Sequence, residues 1–188
     1  MNNERTALFE KELNYFLLPT MRDFAEECLT KVHHTFFTVA ASKSGRHHHP
    51  QNCCAGGLVG HTKQAIHVAN MLLNLEQNNH LDRESILFAL LFHDCQKYLI
   101  DINGKLHFQQ NHPLQAATFI NECFEKTSIK IPFAVVERVK NLIRSHMGQW
   151  NSTQDNIEMP KPISANEQFV HLCDYLASQK TITISTGD

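Results

Sequence analysis

The sequence is short of charge of either sign. Lys and Arg number 17 against 19 Asp and Glu, leaving −2 with histidine neutral, and charged residues make up only 19% of the 188. A chain that grips long nucleic-acid backbones carries a strongly basic face, so this balance argues against that class while leaving room for a short phosphorylated ligand. No uninterrupted apolar run approaches the roughly 20 residues of a membrane-spanning helix, and Met1-Asn2-Asn3-Glu4-Arg5 opens without an apolar signal core. The expectation is a cytoplasmic protein with no membrane partner. The six cysteines, Cys28, Cys53, Cys54, Cys95, Cys123 and Cys173, include no C-x-x-C pair and no framework spacing, which points to reduced thiols serving mostly as small core residues. Repeats and low-complexity segments are absent too. What is there is 42% apolar residues, enough for one domain with a substantial core.

Apolar spacing predicts an all-α protein of about seven helices with one small β-hairpin. Leu8, Phe9, Leu13, Phe16 and Leu17 share a helical stripe that Pro19 stops. Thr20 is placed to cap a second helix, whose apolar face runs from Met21 through Phe24, Cys28 and Leu29 to Phe36. This aromatic stripe is either core or the face of a homo-oligomer. Residues 41–57 read as a loop, and a third helix runs from about Leu58 to Leu75. The fourth, capped at Asp82, is apolar nearly all round from Ile86 to Phe92 and belongs at the centre. Asn103-Gly104 between two short apolar segments is a strong hairpin signal. Helices follow at about 112–126, at 132–147 with Pro132 in the first turn, and at 165–179 behind a Ser164/Glu167 capping box. Residues 148–163 form a second long loop.

Against that frame a few side chains look chosen for chemistry: His61, His93-Asp94, His112, His146 and Asp174, mostly at helix ends. The pair in Leu91-Phe92-His93-Asp94-Cys95-Gln96-Lys97 ends an apolar helix with an imidazole, a carboxylate and, one turn on, a lysine. Buried charge without a partner costs several kcal/mol, and a divalent metal satisfies imidazole and carboxylate together. His61, His93, Asp94 and Asp174 fit one such ion. Asp94, with two oxygens, can bridge to a second held by His112 and His146. Mixed His and carboxylate ligands suit Mn, Fe, Co or Ni, with Mg possible. Two ions roughly 3.5–4 Å apart suit phosphoester hydrolysis, and Lys97 would hold a phosphate oxygen. Arg46, His48 and His49 in the first loop form either a phosphate-contacting lip or a solvated segment. Trp150, the only tryptophan, either stacks a nucleobase or fills the core. His67 and His107 are expected to play bland roles, and His171 to support or pack rather than ligate.

The order of these residues resembles the HD-domain superfamily of metal-dependent phosphohydrolases, whose motif matches His61, His93-Asp94 and Asp174. More closely, several elements look like the HD domain of bacterial 3′-to-5′ exoribonucleases. They are Arg46-His47-His48-His49, Gly56-Gly57-Leu58-Val59-Gly60-His61-Thr62, Phe92-His93-Asp94-Cys95-Gln96-Lys97, His112-Pro113, Ser145-His146-Met147-Gly148 and His171-Leu172-Cys173-Asp174-Tyr175-Leu176. The resemblance covers about residues 45–178. It implies a single HD domain over 1–188, with residues 1–40 a helical extension packed on the 45–178 catalytic core. His112 and His146 imply the two-metal subgroup. Met147 stands where the family usually has a second histidine, so no third ion is expected. The activity implied is hydrolysis of a nucleotide-type phosphoester by two divalent metal ions, with Asp94 and Lys97 catalytic and Arg46, His48, His49, Lys97 and Trp150 on the substrate. The alternatives are a stand-alone 3′-to-5′ exonuclease on short RNA or DNA, and a non-catalytic nucleotide sensor.

Overall fold

The structure is a computed structural model that describes residues 2–42, 45, 48–74, 79–152 and 157–186 (at 2 and 3 the backbone alone). Among these the chain is mostly helical, as predicted: α1 Asn2–Ala7, α2 Glu10–Leu13, α3 Pro19–Lys31, α4 Thr35–Thr38, α5 Gly57–Leu73, α6 His80–Phe92, α7 His112–Lys126, α8 Phe133–Ser145 and α9 Ala165–Ser178. The one hairpin pairs β1 Tyr98–Ile100 with β2 Leu106–Phe108, antiparallel, in register Leu99 to His107. Short 3₁₀ turns at Pro50–Cys53 and Gly148–Trp150 interrupt the two long loops. No helix among the described residues is long and apolar enough to cross a membrane.

α6 is the axis of the fold. Every residue from Arg83 to Phe92 is buried, and α3, α5, α8 and α9 surround it while α7 packs on α8. A helix apolar all round has no solvent face to offer, so burial on every side is its stable placement. Each fully buried Leu, Ile or Phe there supplies about 1.5–3 kcal/mol. The consequence for function is positional: the C-terminal end of this fixed rod, at His93-Asp94, cannot move without disturbing the core.

Helix starts and breaks differ from the sequence reading at several points, some of them for tertiary reasons. The single first helix is two short ones. Phe9 leaves helical geometry between them (φ −115°, ψ 18°) and is fully buried, stacked on Phe36 at 5.9 Å, while Leu8 and Leu17 face solvent. Thr20 does not cap α3. Pro19 takes the first turn, and the Glu84 carboxylate of α6 accepts from the Leu17 and Leu18 amides at 3.0 and 3.2 Å. Asp82 does not cap α6 either; Asn79 does, its Oδ1 accepting from the Leu81 amide, and Asp82 instead pairs with Arg138 of α8. Pro132 is the N-cap of α8 rather than part of its first turn. α5 begins one residue early, at Gly57, and Leu75 lies outside the described residues. The Ser164/Glu167 capping box is present as read.

Candidate metal centre

Five helices deliver their ends to one spot. Two glycines place the first ligand. Gly56 adopts φ +76° as the N-cap of α5, and a Cβ at Gly57 would lie 2.3 Å from the Asn52 carbonyl oxygen, so only bare backbone fits against the preceding 3₁₀ turn. That seats His61 in the second turn of α5. His93 is the C-cap of α6 with Asp94 next to it, His112 opens α7, His146 is the C-cap of α8, and Asp174 projects from α9. His61, His93, Asp94, His112 and His146 are all buried to 2% exposure or less.

The geometry divides around Asp94. Its Oδ2 lies 3.6 Å from His93 Nε2 and 3.8 Å from His61 Nε2, and accepts from Lys97 Nζ at 2.6 Å. Its Oδ1 faces the other way, 2.9 Å from His112 Nε2 and 3.8 Å from His146 Nε2. Asp174 Oδ1 closes the first side, 2.9 Å from His61 Nε2 and 3.4 Å from His93 Nε2. The donor atoms therefore form overlapping trios: His61/His93/Asp94, Asp94/His112/His146 and His93/His146/Asp174.

The tautomers show what this cluster is built to hold. Nδ1 of His93, His112 and His146 donates to the carbonyl three residues back, Leu90 at 2.7 Å, Gln109 at 2.9 Å and Ile143 at 2.7 Å. With the proton on Nδ1, each Nε2 presents a bare lone pair inward. Lone pairs and carboxylate oxygens at 2.9–3.8 Å repel unless a metal ion or a shared proton lies between them, and His112 Nε2, buried 2.9 Å from Asp94 Oδ1, makes no well-aligned hydrogen bond there. His61 Nδ1 is likewise buried without a partner. Ligands about 2.1 Å from one ion stand about 3 Å apart when at right angles to each other, which is close to the 2.9 Å and 3.3 Å separations here. The donor set fits divalent ions.

Electrostatics agree. Burial pushes His146 down to about 3, so it is a neutral ligand at ordinary pH. Burial raises both carboxyls, yet Lys97, His93 and His112 outweigh it at Asp94, and His61 and His93 outweigh it at Asp174, holding both well below the usual carboxylate range. Burial also opposes the charge on Lys97, and Asp94 more than restores it. Among the described residues the centre thus holds two anionic carboxylates with a single ammonium, that of Lys97, beside them.

A cavity of about 330 Å³ opens over this floor. His48, Lys97 and Trp150 line it, as do Asp94, His146 and Asp174. His48 is also neutral, burial lowering it to about 3, and its ring sits 5.2 Å from that of His61. His49 is not brought to the cavity: its Nδ1 accepts from the Gln51 amide and caps the 3₁₀ turn. Arg46 lies outside the described residues. His107 pairs with Asp101 in the hairpin. Trp150 does not fill the core; it is half exposed and stacked on Tyr175, with centroids 5.7 Å apart and planes 15° from parallel. His171 holds its neighbour in place, its Nδ1 2.7 Å from the His146 carbonyl oxygen. Met147, Tyr175, Ser178 and Gln179 also line the cavity, and no role was foreseen for them. A helical signal existed for Ser178, which is four residues past Asp174 and so on the same face of α9.

All six thiols are free, and those of Cys95 and Cys173, each next to a candidate ligand, are buried. The family model for the HD domain matches residues 58–179. That span contains His61, His93, Asp94, His112, His146 and Asp174. Neither a curated protein nor a solved structure matches the chain.

Proposed function

The chain belongs to the HD domain family, whose members are generally metal-dependent hydrolases, and on that premise we propose that it cleaves a phosphoester of a nucleotide-type substrate with two divalent metal ions. The observation that carries this reading is the split of Asp94, one oxygen toward His61 and His93 and the other toward His112 and His146. His61, His93, Asp94 and Asp174 would hold one ion, and Asp94, His112 and His146 the other; Mn, Fe, Co, Ni and Mg all suit such ligands. Ions bound there would supply a hydroxide near neutral pH and neutralise charge on the phosphoryl oxygens.

The chain's own residues do the rest. The Nδ1 bonds to backbone carbonyls keep three imidazoles in one tautomer and orientation. Lys97, charged and lining the cavity, contacts a phosphate oxygen while retaining Asp94. His48 borders the same space as a neutral donor or acceptor. Trp150 offers an aromatic face at the rim for a base. The resemblance to the HD domain of bacterial 3′-to-5′ exoribonucleases supports a nucleotidyl substrate. Buried thiols beside the ligands suit a reducing, cytoplasmic setting.

The test is incubation of the protein, loaded in turn with each metal, with nucleoside phosphates, cyclic nucleotides and labelled short RNA and DNA. Release of a phosphomonoester or of inorganic phosphate is expected from at least one class. Tight binding of one without any product would replace the enzyme by a nucleotide sensor.

A further inference from the structure

The wall of the cavity over the candidate metal centre carries one side-chain amide. Gln179 is the only carboxamide among the described residues that line it, and it stands just past the end of α9 as the C-cap. Its backbone is tied on both sides: its N–H donates to the Leu176 carbonyl at 3.2 Å, and its carbonyl accepts from the Ile182 amide at 3.3 Å. The side chain is oriented as well. Gln179 Nε2 donates to the Tyr175 carbonyl at 3.2 Å and to Ser178 Oγ at 3.4 Å. Ser178 donates its own hydroxyl proton to the same Tyr175 carbonyl at 2.7 Å, so both neighbours of the amide are acceptors. A flipped amide would set oxygen against oxygen, which turns the NH₂ toward the helix and leaves Oε1 as the free end. No described group donates to that oxygen.

Resting on the reading above, we propose that Gln179 is a specificity-determining residue whose Oε1 accepts from the exocyclic amino group of the nucleobase, so that adenine and cytosine are preferred to keto bases. Lys97 and the ions on the floor pin the phosphate end of the substrate. At about 330 Å³ the cavity is at the small end of ligand pockets, which run from about 300 to 1,000 Å³, so a base joined to that phosphate reaches the wall that carries Gln179. A nucleotide held at its phosphate cannot slide its base to a new register. Adenine and cytosine present an amino donor where hypoxanthine and uracil present an oxygen. With the amino group, Oε1 gains a partner. A keto oxygen would face it acceptor to acceptor, leaving both unpaired as water is displaced. The Trp150 ring in the same cavity stacks any base without regard to identity, so it adds affinity and the amide adds the choice.

The probes are the 5′-phosphonates of adenosine, purine riboside and inosine, in which carbon replaces the bridging oxygen so that nothing is cleaved. At position 6 they carry an amino group, a hydrogen and a keto oxygen. Each is titrated into the magnesium-loaded protein, and fluorescence of Trp150, the single tryptophan and part of the same cavity, reports occupancy. The adenosine compound should bind about fivefold tighter than the purine riboside compound, which is what one net hydrogen bond supplies, and the inosine compound no tighter than the latter. Gln179→Leu, which keeps the bulk of the side chain and removes its oxygen, should bring the three to equal affinity. Equal affinities in the unaltered protein, tightest binding of the inosine compound, binding of none, or a preference that survives Gln179→Leu overturns the contact. The series in the unaltered protein decides the matter even where the variant fails to fold. If no phosphoester is hydrolysed yet the amino preference persists, the reaction fails and the contact stands. Hydrolysis without the preference does the reverse.

Discussion

The floor and the rim of the cavity over the candidate metal centre are built on opposite principles. On the floor, His61, His93, Asp94, His112 and His146 are at most 2% exposed, and three of the imidazoles are fixed by the backbone carbonyl three residues back. At the rim, Trp150 is 50% exposed and Tyr175 38%, and their rings are held by stacking on each other. The floor is preorganised, and every change there costs desolvated charge. The rim is adaptable, and changes there cost contact area alone. On the proposed reading, chemistry belongs to the floor and selectivity to the rim, and substitutions can test that separation.

The largest effect is expected from Asp94→Ala, which removes the carboxylate common to both candidate ions. Hydrolysis should vanish and bound metal should fall, as elemental analysis would show; unchanged metal content contradicts the bridge. Acid is the next probe of the floor. Folded His146 and His48 take up protons near pH 3, whereas unfolded imidazoles do so near 6.5. The unfolded state binds more protons between those values, so the metal-free protein should lose stability steadily as pH falls through that window. His93, shifted upward mainly by Asp94 against the effect of burial, works the other way, its contribution disappearing only as pH rises above 6.5. Urea midpoints measured across pH would come out flat if the imidazoles were solvated. Lys97→Ala should keep the metals and slow turnover by about 10²–10³-fold, as loss of one preorganised charge donor does; a wild-type kcat removes Lys97 from the mechanism. Smallest is Trp150→Ala, expected to raise KM by about tenfold, within the range of one lost base stack, with kcat held. A fall in kcat instead would mean that rim and floor are not separable.

The floor was legible in the sequence because its residues stand where local signals are strong: after a continuous apolar helix, after a glycine pair, at a proline-marked helix start. The hairpin was legible from Asn103-Gly104 for the same reason. What escaped was settled between segments far apart in the chain. Phe9 breaks the first helix because Phe36 is there to receive it. The amides before α3 are satisfied by Glu84, 66 residues further on from Leu18, so no local cap was needed. Asp82 was drawn from its capping position by Arg138. Trp150 had two readings from sequence, and its half-exposed place against Tyr175 of α9 removes the one that put it in the core. Tyr175 carried no signal of its own, since an aromatic after Asp174 looks the same whether it packs inward or forms a wall.

Gly148 joins the two regimes. It adopts φ +59°, and a Cβ there would sit 2.3 Å from the His171 ring, whose Nδ1 holds the His146 carbonyl. A side chain at 148 would shove that ring and, through it, tilt a ligand that lies two positions back in the chain. Anyone diversifying Met147 to Trp150 to retarget the protein therefore has one forbidden column in the library: variants at 148 would lose metal and be mistaken for failures of selectivity.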